Sequence, residues 1–274
     1  MQTLASPTYQ THPHEHIESI LSGFTSYGLT DLDKANLMDR VDVKFVLPTA
    51  FLPTLLEQLK NDYRVLDIKG KRISEYHNRY FDTPELDFYN AHHNGKLNRY
   101  KVRERTYVDT DTQFLEVKFK NDRKRTIKTR INCHADKADS MTQEAFLQQE
   151  MQTAYDKLEV SQYGGYQRIA LANEAAAERL TLDFDLWYSL TKKEQTIKLP
   201  HFFIAELKQQ KHSKFSPFYQ LMSKNNLFPV SFSKYCIGCT MLYPNMLKKN
   251  QFNGVLRHIA KFSPSLHSFK PTSN

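Results

Sequence analysis

Charged and apolar residues alternate strictly along one segment near the middle of the chain. From Arg99 to Tyr107, positions 99, 101, 103 and 105 carry cations, while Tyr100 and Val102 lie between them. Successive side chains of a β-strand point to opposite faces, so this period of two predicts a strand with four cations on one face. Like charges this close repel each other unless an anion lies among them. The sheet that contains this strand must therefore present a strongly basic surface.

The same period recurs along the chain and predicts a sheet of many strands. Predicted strands cover 40–47, 63–68, 73–81, 98–107, 112–120, 126–133, 162–171, 180–188 and 198–208. Predicted helices cover 49–60, 135–158, 215–225 and 234–247, with one or two short amphipathic helices within 17–37. These elements indicate one α+β domain dominated by antiparallel sheet. If that sheet curls into a barrel, its charged faces converge on the lumen.

The charge balance favours an anionic partner. The chain has 274 residues, with 38 Lys plus Arg against 30 Asp plus Glu, and a formal net charge of +8. This charge fits a nucleic acid, a phosphorylated metabolite or an anionic membrane surface. Arg and Lys contact phosphate oxygens, and carboxylates bind Mg²⁺ or Mn²⁺. The sequence contains neither a Gly-x-x-x-x-Gly-Lys loop nor a kinase glycine-rich loop, which argues against both of those folds.

The cysteines and the apolar segments bear on the expected location. Cys133, Cys236 and Cys239 are an odd set without the spacing of a disulfide framework, which indicates a reducing compartment. Cys236 and Cys239 form a C-x-x-C pair, which we interpret as two small residues one helical turn apart. No run of 18 apolar residues occurs, and residues 1–16 do not resemble a signal peptide. We therefore expect a cytoplasmic protein.

Five short motifs follow one another in a fixed order. They are Arg40-x-Asp42-x-Lys44-Phe45, Tyr80-Phe81-Asp82-Thr83, Arg99-x-Lys101-x-Arg103-x-Arg105-x-Tyr107, Leu115-Glu116-x-Lys118 and Ser233-Lys234-Tyr235. In this order they resemble the VTC domain of polyphosphate polymerases, which belongs to the triphosphate tunnel metalloenzymes and is related to the CYTH proteins. The resemblance covers about residues 37–252. It leaves residues 1–36 as a tail with short helices and residues 253–274 as a C-terminal tail.

The resemblance implies an eight-stranded antiparallel β-barrel that forms a tunnel, with flanking helices. It also implies a polymerase that uses Mn²⁺ or Mg²⁺ to transfer the γ-phosphoryl group of ATP to inorganic polyphosphate, with release of ADP. The residues implied for catalysis are Lys44, Arg103, Arg105, Lys118, Arg168 and Lys234. The residues expected to bind substrate are Arg40, Lys101, Lys120, Lys128, Arg130, Tyr166, Arg179 and Lys208, and Glu206 is the implied metal ligand.

Departures from the family pattern leave alternatives open. The CYTH signature begins Glu-x-Glu-x-Lys, whereas this chain has Arg40, Asp42 and Lys44. An Arg in the first position is what the VTC branch shows, and it favours synthesis over hydrolysis or cyclisation. Asp42 is shorter than the usual Glu and is not assigned to the metal. A tri- or polyphosphatase of the same fold and a non-catalytic module that binds polyphosphate or inositol phosphates are the alternatives. A nucleic-acid partner is not expected, because such a binder more often exposes aromatic residues among its cations.

Two further interpretations concern residues outside the assigned site. Asp82 and Thr83 are interpreted as a turn at a strand end without a catalytic role, and His92 and His93 as exposed residues of a polar loop.

Members of the family often act beside membrane proteins. A separate membrane-protein partner, with peripheral attachment through it, is therefore compatible with this sequence.

Overall fold

The computed structural model describes residues 13–30, 41–123, 125–133, 141–151, 158–211, 213 and 215–262. The strands are β1 (Ser26–Tyr27), β2 (Val41–Pro48), β3 (Arg64–Leu66), β4 (Ser74–Asp82), β5 (Arg99–Tyr107), β6 (Thr112–Lys120), β7 (Thr126–Asn132), β8 (Glu159–Asn173), β9 (Glu178–Ser189), β10 (Ile197–Leu199) and β11 (Phe202–Gln209). The helices are α1 (Pro13–Ser22), α2 (Leu52–Leu59), α3 (Asp87–His93), α4 (Gln143–Glu150), α5 (Pro217–Lys224), α6 (Lys234–Leu242) and α7 (Asn253–Ala260). Short 3₁₀ turns cover Thr49–Phe51, Val108–Thr110 and Asn250–Phe252.

Eight strands follow one another through a single antiparallel path, and the predicted α+β class is confirmed. The order is β2-β11-β9-β8-β4-β5-β6-β7. The remaining strands are short: β1 pairs with β3 in parallel, β3 pairs with β8, and β10 pairs with β9. The sheet is strongly curled: Lys44 of β2 and Lys101 of β5, five strands apart in the order, donate to the adjacent residues Phe232 and Ser233 at 3.3 Å and 3.0 Å. In a flat sheet these strands would lie about 24 Å apart.

The barrel that we expected is not closed by strand pairing. In the described residues the two end strands, β2 and β7, share no hydrogen-bonded ladder. Instead, the segment that leads into α6 contacts β2: the Val230 backbone N–H donates to the Lys44 carbonyl at 2.8 Å. From the other half of the sheet, Lys101 Nζ donates to Ser233 Oγ at 3.0 Å. The loop before α6 and the start of that helix therefore lie between β2 and β5, and strand periodicity carries no information about such a loop.

The outer face of the sheet is covered by helices. The stripe Leu52, Leu55, Leu56 and Leu59 of α2 is buried, as its helical spacing predicts. It packs with α1, α5 and the outward residues of β2, β8, β9 and β11 in one apolar core. Burial of this core holds one side of the sheet rigid and leaves the charged side chains on the opposite face, which we call the inner face.

Helix α6 lies against the apolar half of the inner face. Its residues from Tyr235 to Met241 are all buried, and Cys236 and Cys239 are inaccessible free thiols, as the structural interpretation of the C-x-x-C pair predicts. A Cβ at Gly238 would lie 2.3 Å from Gln162 Oε1. This contact requires glycine at that position, because only glycine lets the helix approach the sheet so closely.

Two of the sequence motifs meet at the start of α3. Asp82 accepts hydrogen bonds from the backbone N–H groups of Phe88 at 2.8 Å and Tyr89 at 3.0 Å. The Tyr235 hydroxyl also donates to this carboxylate. Burial raises the pKa of Asp82 although these hydrogen bonds oppose the shift. The Asp of Tyr-Phe-Asp-Thr and the Tyr of Ser-Lys-Tyr therefore form a buried hydrogen-bonded contact that fixes the start of α3 against α6.

Several predicted elements differ from the structure. The strand predicted over 198–208 is two strands, β10 and β11, because a turn at Pro200 interrupts it. Of the helix predicted over 135–158, α4 is the described part; residues 134–140 and 152–157 lie outside the described residues. Helix α7 lies in the segment predicted as a tail, and its Val255, Leu256 and Ile259 are buried.

The predicted exposure of His93 is wrong. His93 is 6% exposed and contacts Asn250 Oδ1 at 2.6 Å, because the polar segment around it is a helix, α3, packed against β5 and α6. His92 is half-buried in the same helix.

None of the helices described above has both the length and the apolar character that a membrane crossing requires.

Candidate functional site

A buried tyrosine pair lies at the centre of the cations on the inner face. Tyr76 and Tyr166 stack with ring centroids 5.3 Å apart. The Arg105 guanidinium donates to the Tyr166 hydroxyl at 2.7 Å, and Arg168 and Lys234 lie 5.2 Å and 4.5 Å from the centroid of the same ring. Burial alone would raise the pKa of Tyr166, but the surrounding cations hold it below its usual value. The rings thus give three cations a common contact surface.

Asp183 is the counter-ion of this group. Its side chain is fully buried on β9 and accepts hydrogen bonds from Arg168 Nε at 2.6 Å and Arg168 Nη2 at 2.8 Å. Lys234 at the start of α6 donates to the same carboxylate. Burial would raise the pKa of Asp183, but Arg168 and Lys234 hold it well below its usual range. Asp183 is therefore ionised and fixes the orientation of both cations.

Glu116 has the same arrangement on the neighbouring wall. It is fully buried on β6, accepts from Arg103 Nε at 2.7 Å, and also accepts from Lys128 of β7. Burial acts against its ionisation, but Arg103, Arg105 and Lys128 keep its pKa far below the usual value. The carboxylate orients Arg103 and neutralises part of the charge on this wall.

Glu206 differs from these two carboxylates in its accessibility. Its side chain is 17% exposed, whereas those of Asp183 and Glu116 are 0% exposed. Lys208 lies 2.9 Å from it and Lys44 3.6 Å. Burial would raise the pKa of Glu206, and Lys208 and Lys44 lower it well below the usual value. Glu206 is thus an ionised carboxylate that a ligand or a cation can reach.

Three lysines occupy paired register positions on the adjacent strands β5, β6 and β7 of the inner face. Lys101 of β5 is the register partner of Lys118 of β6, which is in turn the partner of Lys128 of β7. Among the described residues, Lys118 has no carboxylate within ion-pair distance. Burial and neighbouring cations lower the pKa of Lys118 well below its usual value, and that of Lys101 to about 8. This row is therefore a place where an anion relieves charge repulsion.

The remaining predicted site residues lie at separate positions along the sheet or outside the described residues. Lys120 lies opposite Arg99 at the end of β6, and Arg179 lies opposite Lys208 on β9. Arg130 is exposed, with its guanidinium 4.3 Å from the Phe114 ring centroid, outside the ion pairs of Glu116. Arg40 lies outside the described residues. The functional roles of these residues stay predictions.

Sequence reasoning did not assign the buried counter-ions Asp183 and Glu116. Glu116 lies in one of the motifs and Asp183 in a predicted strand, but alternation cannot tell which of several cations a carboxylate contacts. Tyr76 was also missed, because its spacing is that of an ordinary core residue.

We expect an inorganic polyanion to stabilise the protein by binding to Lys101 and Lys118, which have no carboxylate within ion-pair distance among the described residues. At a hundredfold excess over its Kd, tripolyphosphate should add about 2.7 kcal/mol of stability and raise the melting temperature by about 5–10 °C. The comparison is thermal unfolding in sodium chloride of equal ionic strength. Equal shifts in both solutions would mean that the cations are only screened, and that the inner face holds no specific anion site.

The chain is similar to known proteins in sequence and in fold. The family model described as the VTC domain matches residues 39–243, which span β2 to α6. No curated protein sequence matches the chain significantly. A solved structure of a proposed adenylate cyclase from Vibrio parahaemolyticus shares 14% identity and a TM-score of 0.44, covering 73% of this chain and 99% of its own. A proposed adenylyl cyclase from Hippeastrum with a dominant triphosphatase activity shares 12% identity and a TM-score of 0.46, covering 76% and 99%.

Proposed function

This chain belongs to the VTC domain family, and from that premise we propose that it is a polyphosphate polymerase. In this proposal it transfers the γ-phosphoryl group of ATP to the end of an inorganic polyphosphate chain and releases ADP. Family membership supports the coarser statement, a phosphate-handling enzyme related to polyphosphate. The finer statement, synthesis of polymer, depends on whether the site can hold two polyanions at once.

The two inner-face lysines without a carboxylate partner, Lys101 and Lys118, are the observation that carries the proposal. Arg103 and Lys128 share the buried Glu116, and Arg168 and Lys234 share the buried Asp183, whereas Lys101 and Lys118 have no carboxylate within ion-pair distance among the described residues. A hydrolase needs only water opposite the γ-phosphate, and surplus positive charge there would retain its product. A polymerase must hold the acceptor chain in line with ATP, and these surplus cations suit that second polyanion.

The arrangement suits phosphoryl transfer without a protein nucleophile. In such a reaction the transition state spreads negative charge over the transferring phosphoryl oxygens. Arg103, oriented by Glu116, and Lys118, which has no such partner among the described residues, would stabilise that charge. Preoriented cations in a site with little water are effective because they need not reorganise during the reaction.

Glu206 is the residue that we propose for the divalent cation. In the described part of the chain, no three His, Cys, Asp or Glu side chains lie close enough to form a complete metal site. Mg²⁺ does not need one, because it is commonly bound through one or two carboxylates together with substrate phosphates. The accessible, ionised Glu206 fits that arrangement. When bound, Mn²⁺ or Mg²⁺ would supply charge neutralisation on the phosphate oxygens.

Glu206→Gln is expected to lower turnover by more than tenfold and to weaken its dependence on Mn²⁺, because the amide is a poor ligand for a hard cation. The measurement is initial rate against Mn²⁺ concentration, with Glu75→Gln as a surface control. If the variant shows the wild-type half-saturation and the wild-type rate at saturating Mn²⁺, Glu206 serves only as the ion-pair partner of Lys44 and Lys208.

The test of the proposed function is incubation of the purified protein with ATP and Mn²⁺. Long-chain polyphosphate on a gel, with ADP in equal amount to the phosphate incorporated, supports the polymerase. Orthophosphate without polymer overturns it in favour of a tri- or polyphosphatase. Tight tripolyphosphate binding without consumption of ATP overturns it in favour of a binding module.

A further inference from the structure

The acidic residues of this chain end at Glu206. From residue 207 to residue 274 the sequence contains ten lysines and arginines and no aspartate or glutamate. Residues 1–206 contain the remaining 28 Lys plus Arg and all 30 Asp plus Glu, so their formal charge is −2 and the net charge of +8 arises entirely beyond them. Such an asymmetry is typical of a protein that binds a nucleic acid or an anionic membrane. We call residues 207–274 the acid-free segment.

Large apolar side chains are also unusually exposed in the acid-free segment. Phe215, Met246 and Phe228 are 86%, 77% and 74% exposed, and the other exposed large apolar side chains of the described residues reach only 51%. A single exposed apolar residue is ordinary on a protein surface. Phe215 and Phe228 are not single, because they lie at the two ends of the same helix, α5.

Helix α5 lies on the outer side of the sheet with one face buried. Phe218 and Met222, one turn apart, belong to the apolar core, and the Phe218 ring centroid is 5.3 Å from that of Phe45 on β2. Gln220 and Lys224, on the opposite side of the helix, are exposed. The surface that α5 presents to solvent therefore faces away from the inner face and from its cations.

The two phenylalanines continue this exposed surface at both ends of the helix. Phe215 immediately precedes the N-cap residue of α5, and its backbone N–H donates to Ser213 Oγ at 3.1 Å. At the other end Leu227 packs against the core, and the next residue, Phe228, remains in solvent. Lys211 is exposed just after β11. We call Lys211, Phe215, Lys224 and Phe228 the α5 surface.

Neither lysine of the α5 surface has a carboxylate partner among the described residues. In that part of the chain, the ion pairs of the acid-free segment are those of Lys208 and Lys234, and both lie on the inner face. The carboxylate that contacts the segment beside α5 is Glu178, which accepts from Ser216 Oγ at 3.1 Å and from Gln209 Nε2 at 2.8 Å. Glu178 is only 2% exposed, so its charge is held beneath the surface. The α5 surface therefore combines exposed aromatic rings with unneutralised positive charge.

We propose that the α5 surface docks on an anionic lipid bilayer, an activity beyond the function proposed above and independent of it. The rings of Phe215 and Phe228 enter the boundary between headgroups and acyl chains, where their apolar area leaves water. Lys211 and Lys224 stay at the level of the lipid phosphates, and the other exposed cations of the acid-free segment add to the attraction. Because α5 covers the outer side of the sheet, this contact leaves the inner face open.

The separation and type of the aromatic residues favour a lipid bilayer over a nucleic acid. A protein that binds single strands stacks successive bases on aromatic rings along a basic groove. Phe215 and Phe228 are separated by the whole of α5, whose eight residues are about 12 Å long, whereas bases stack about 3.4 Å apart. Their side chains also carry no hydrogen-bonding group, which suits contact with hydrocarbon.

Sedimentation of the full chain with lipid vesicles tests this proposal. The vesicles are phosphatidylcholine with about one-third phosphatidylglycerol, or phosphatidylcholine alone, and excess tripolyphosphate is present to occupy the inner face. We expect the wild type to bind the anionic vesicles and not the neutral ones. Phe215→Ser combined with Phe228→Ser should weaken vesicle binding about tenfold or more, since two rings no longer leave water. Lys211→Gln combined with Lys224→Gln should weaken it about tenfold.

Each double variant has a matched control elsewhere on the surface. Leu29→Ser with Leu190→Ser removes two apolar side chains that are 51% and 47% exposed. Lys192→Gln with Lys193→Gln removes two exposed charges between β9 and β10. Neither control should change vesicle binding by more than about twofold, because charges that do not reach the bilayer are screened by salt. If either pair of substitutions on the α5 surface has no larger effect than its control, the proposal is overturned.

The remaining outcomes separate the bilayer from other ligands. Failure to bind anionic vesicles overturns the proposal, and so does binding that tripolyphosphate abolishes, which would assign the lipid phosphate to the inner face. Tighter binding of oligothymidylate than of vesicles, with loss in the phenylalanine variant, would instead assign the α5 surface to a nucleic acid.

Phe215→Trp decides the question if the double variant does not fold. Its added indole emission, relative to the wild type, should shift to shorter wavelength on anionic vesicles, and an unchanged emission overturns the proposal. None of these measurements uses ATP. Loss of polymer synthesis with vesicle binding retained would therefore overturn the polymerase alone.

Discussion

Asp183→Asn is expected to lower the free energy of unfolding by about 3–5 kcal/mol in phosphate-free buffer. The substitution keeps the shape of the side chain but removes the charge that Arg168 and Lys234 share. Both cations then remain buried without a counter-ion, and that desolvation cost is larger than the worth of the lost attraction. Tripolyphosphate should recover part of the loss by supplying replacement negative charge.

Asp185→Asn is the matched control, two residues along the same strand. Asp185 carries the same charge, but its side chain is 34% exposed and its partner is His14 at 2.8 Å. Its left-handed backbone, with φ of 50°, tolerates asparagine well. We expect a change within about 0.5 kcal/mol. Denaturant unfolding of both variants tests the difference, and similar losses would contradict the account of Asp183 as a buried counter-ion.

The same carboxylates determine the response to acid. The folded-state pKa values of Asp183 and Glu116 lie below their usual values, so the folded state binds fewer protons than the unfolded chain in the intervening range. Their contribution to stability is complete above the unfolded carboxylate pKa of about 4 and is lost as pH falls through the folded-state values.

Lys118→Gln should lower turnover by about a hundredfold, or about 2.7 kcal/mol in barrier, while stability stays the same or increases. Lys118 lies among Lys101, Lys128 and Arg103, so removing its charge relieves repulsion in the empty protein. The same charge is needed only when phosphate is present. A substitution that lowers turnover without lowering stability identifies a residue that contributes to function and not to folding.

Lys198→Gln is the comparison variant for this prediction, because Lys198 is an exposed lysine of β10, outside the inner face. It should leave both rate and stability unchanged. Thermal unfolding and initial rates at saturating ATP are the measurements. If Lys118→Gln retains more than half the wild-type rate, or if it destabilises the protein as Asp183→Asn does, the lysine row is structural and does not bind phosphate.

Local periodicity predicted the main elements well. The predicted bounds of β6 agree with the structure, and those of β5 and β4 differ by one residue at each shifted end, because alternation of charged and apolar residues is a property of neighbours in the chain. Helix α3 was missed because Asp87–His93 is too short and too polar to show a helical apolar stripe. Packing of Phe88 and Tyr89 into the core stabilises this helix, and such packing depends on residues distant in the sequence.

The sequence alone determined which face most side chains of a strand take, since the backbone geometry of a regular strand has a period of two. Asp185, whose left-handed backbone turns it to His14 instead of the inner face, is an exception that alternation does not reveal. The sequence therefore predicted an inner face rich in cations and the family to which the chain belongs. Only the tertiary structure decided the pairings on that face: Glu116 contacts Arg103 and Lys128 but not Lys118, and Tyr235 donates to Asp82 from 153 residues away. Such pairings depend on sheet order, on curvature and on the buried position of α6, which are set by packing of the whole chain and have no counterpart in any local pattern.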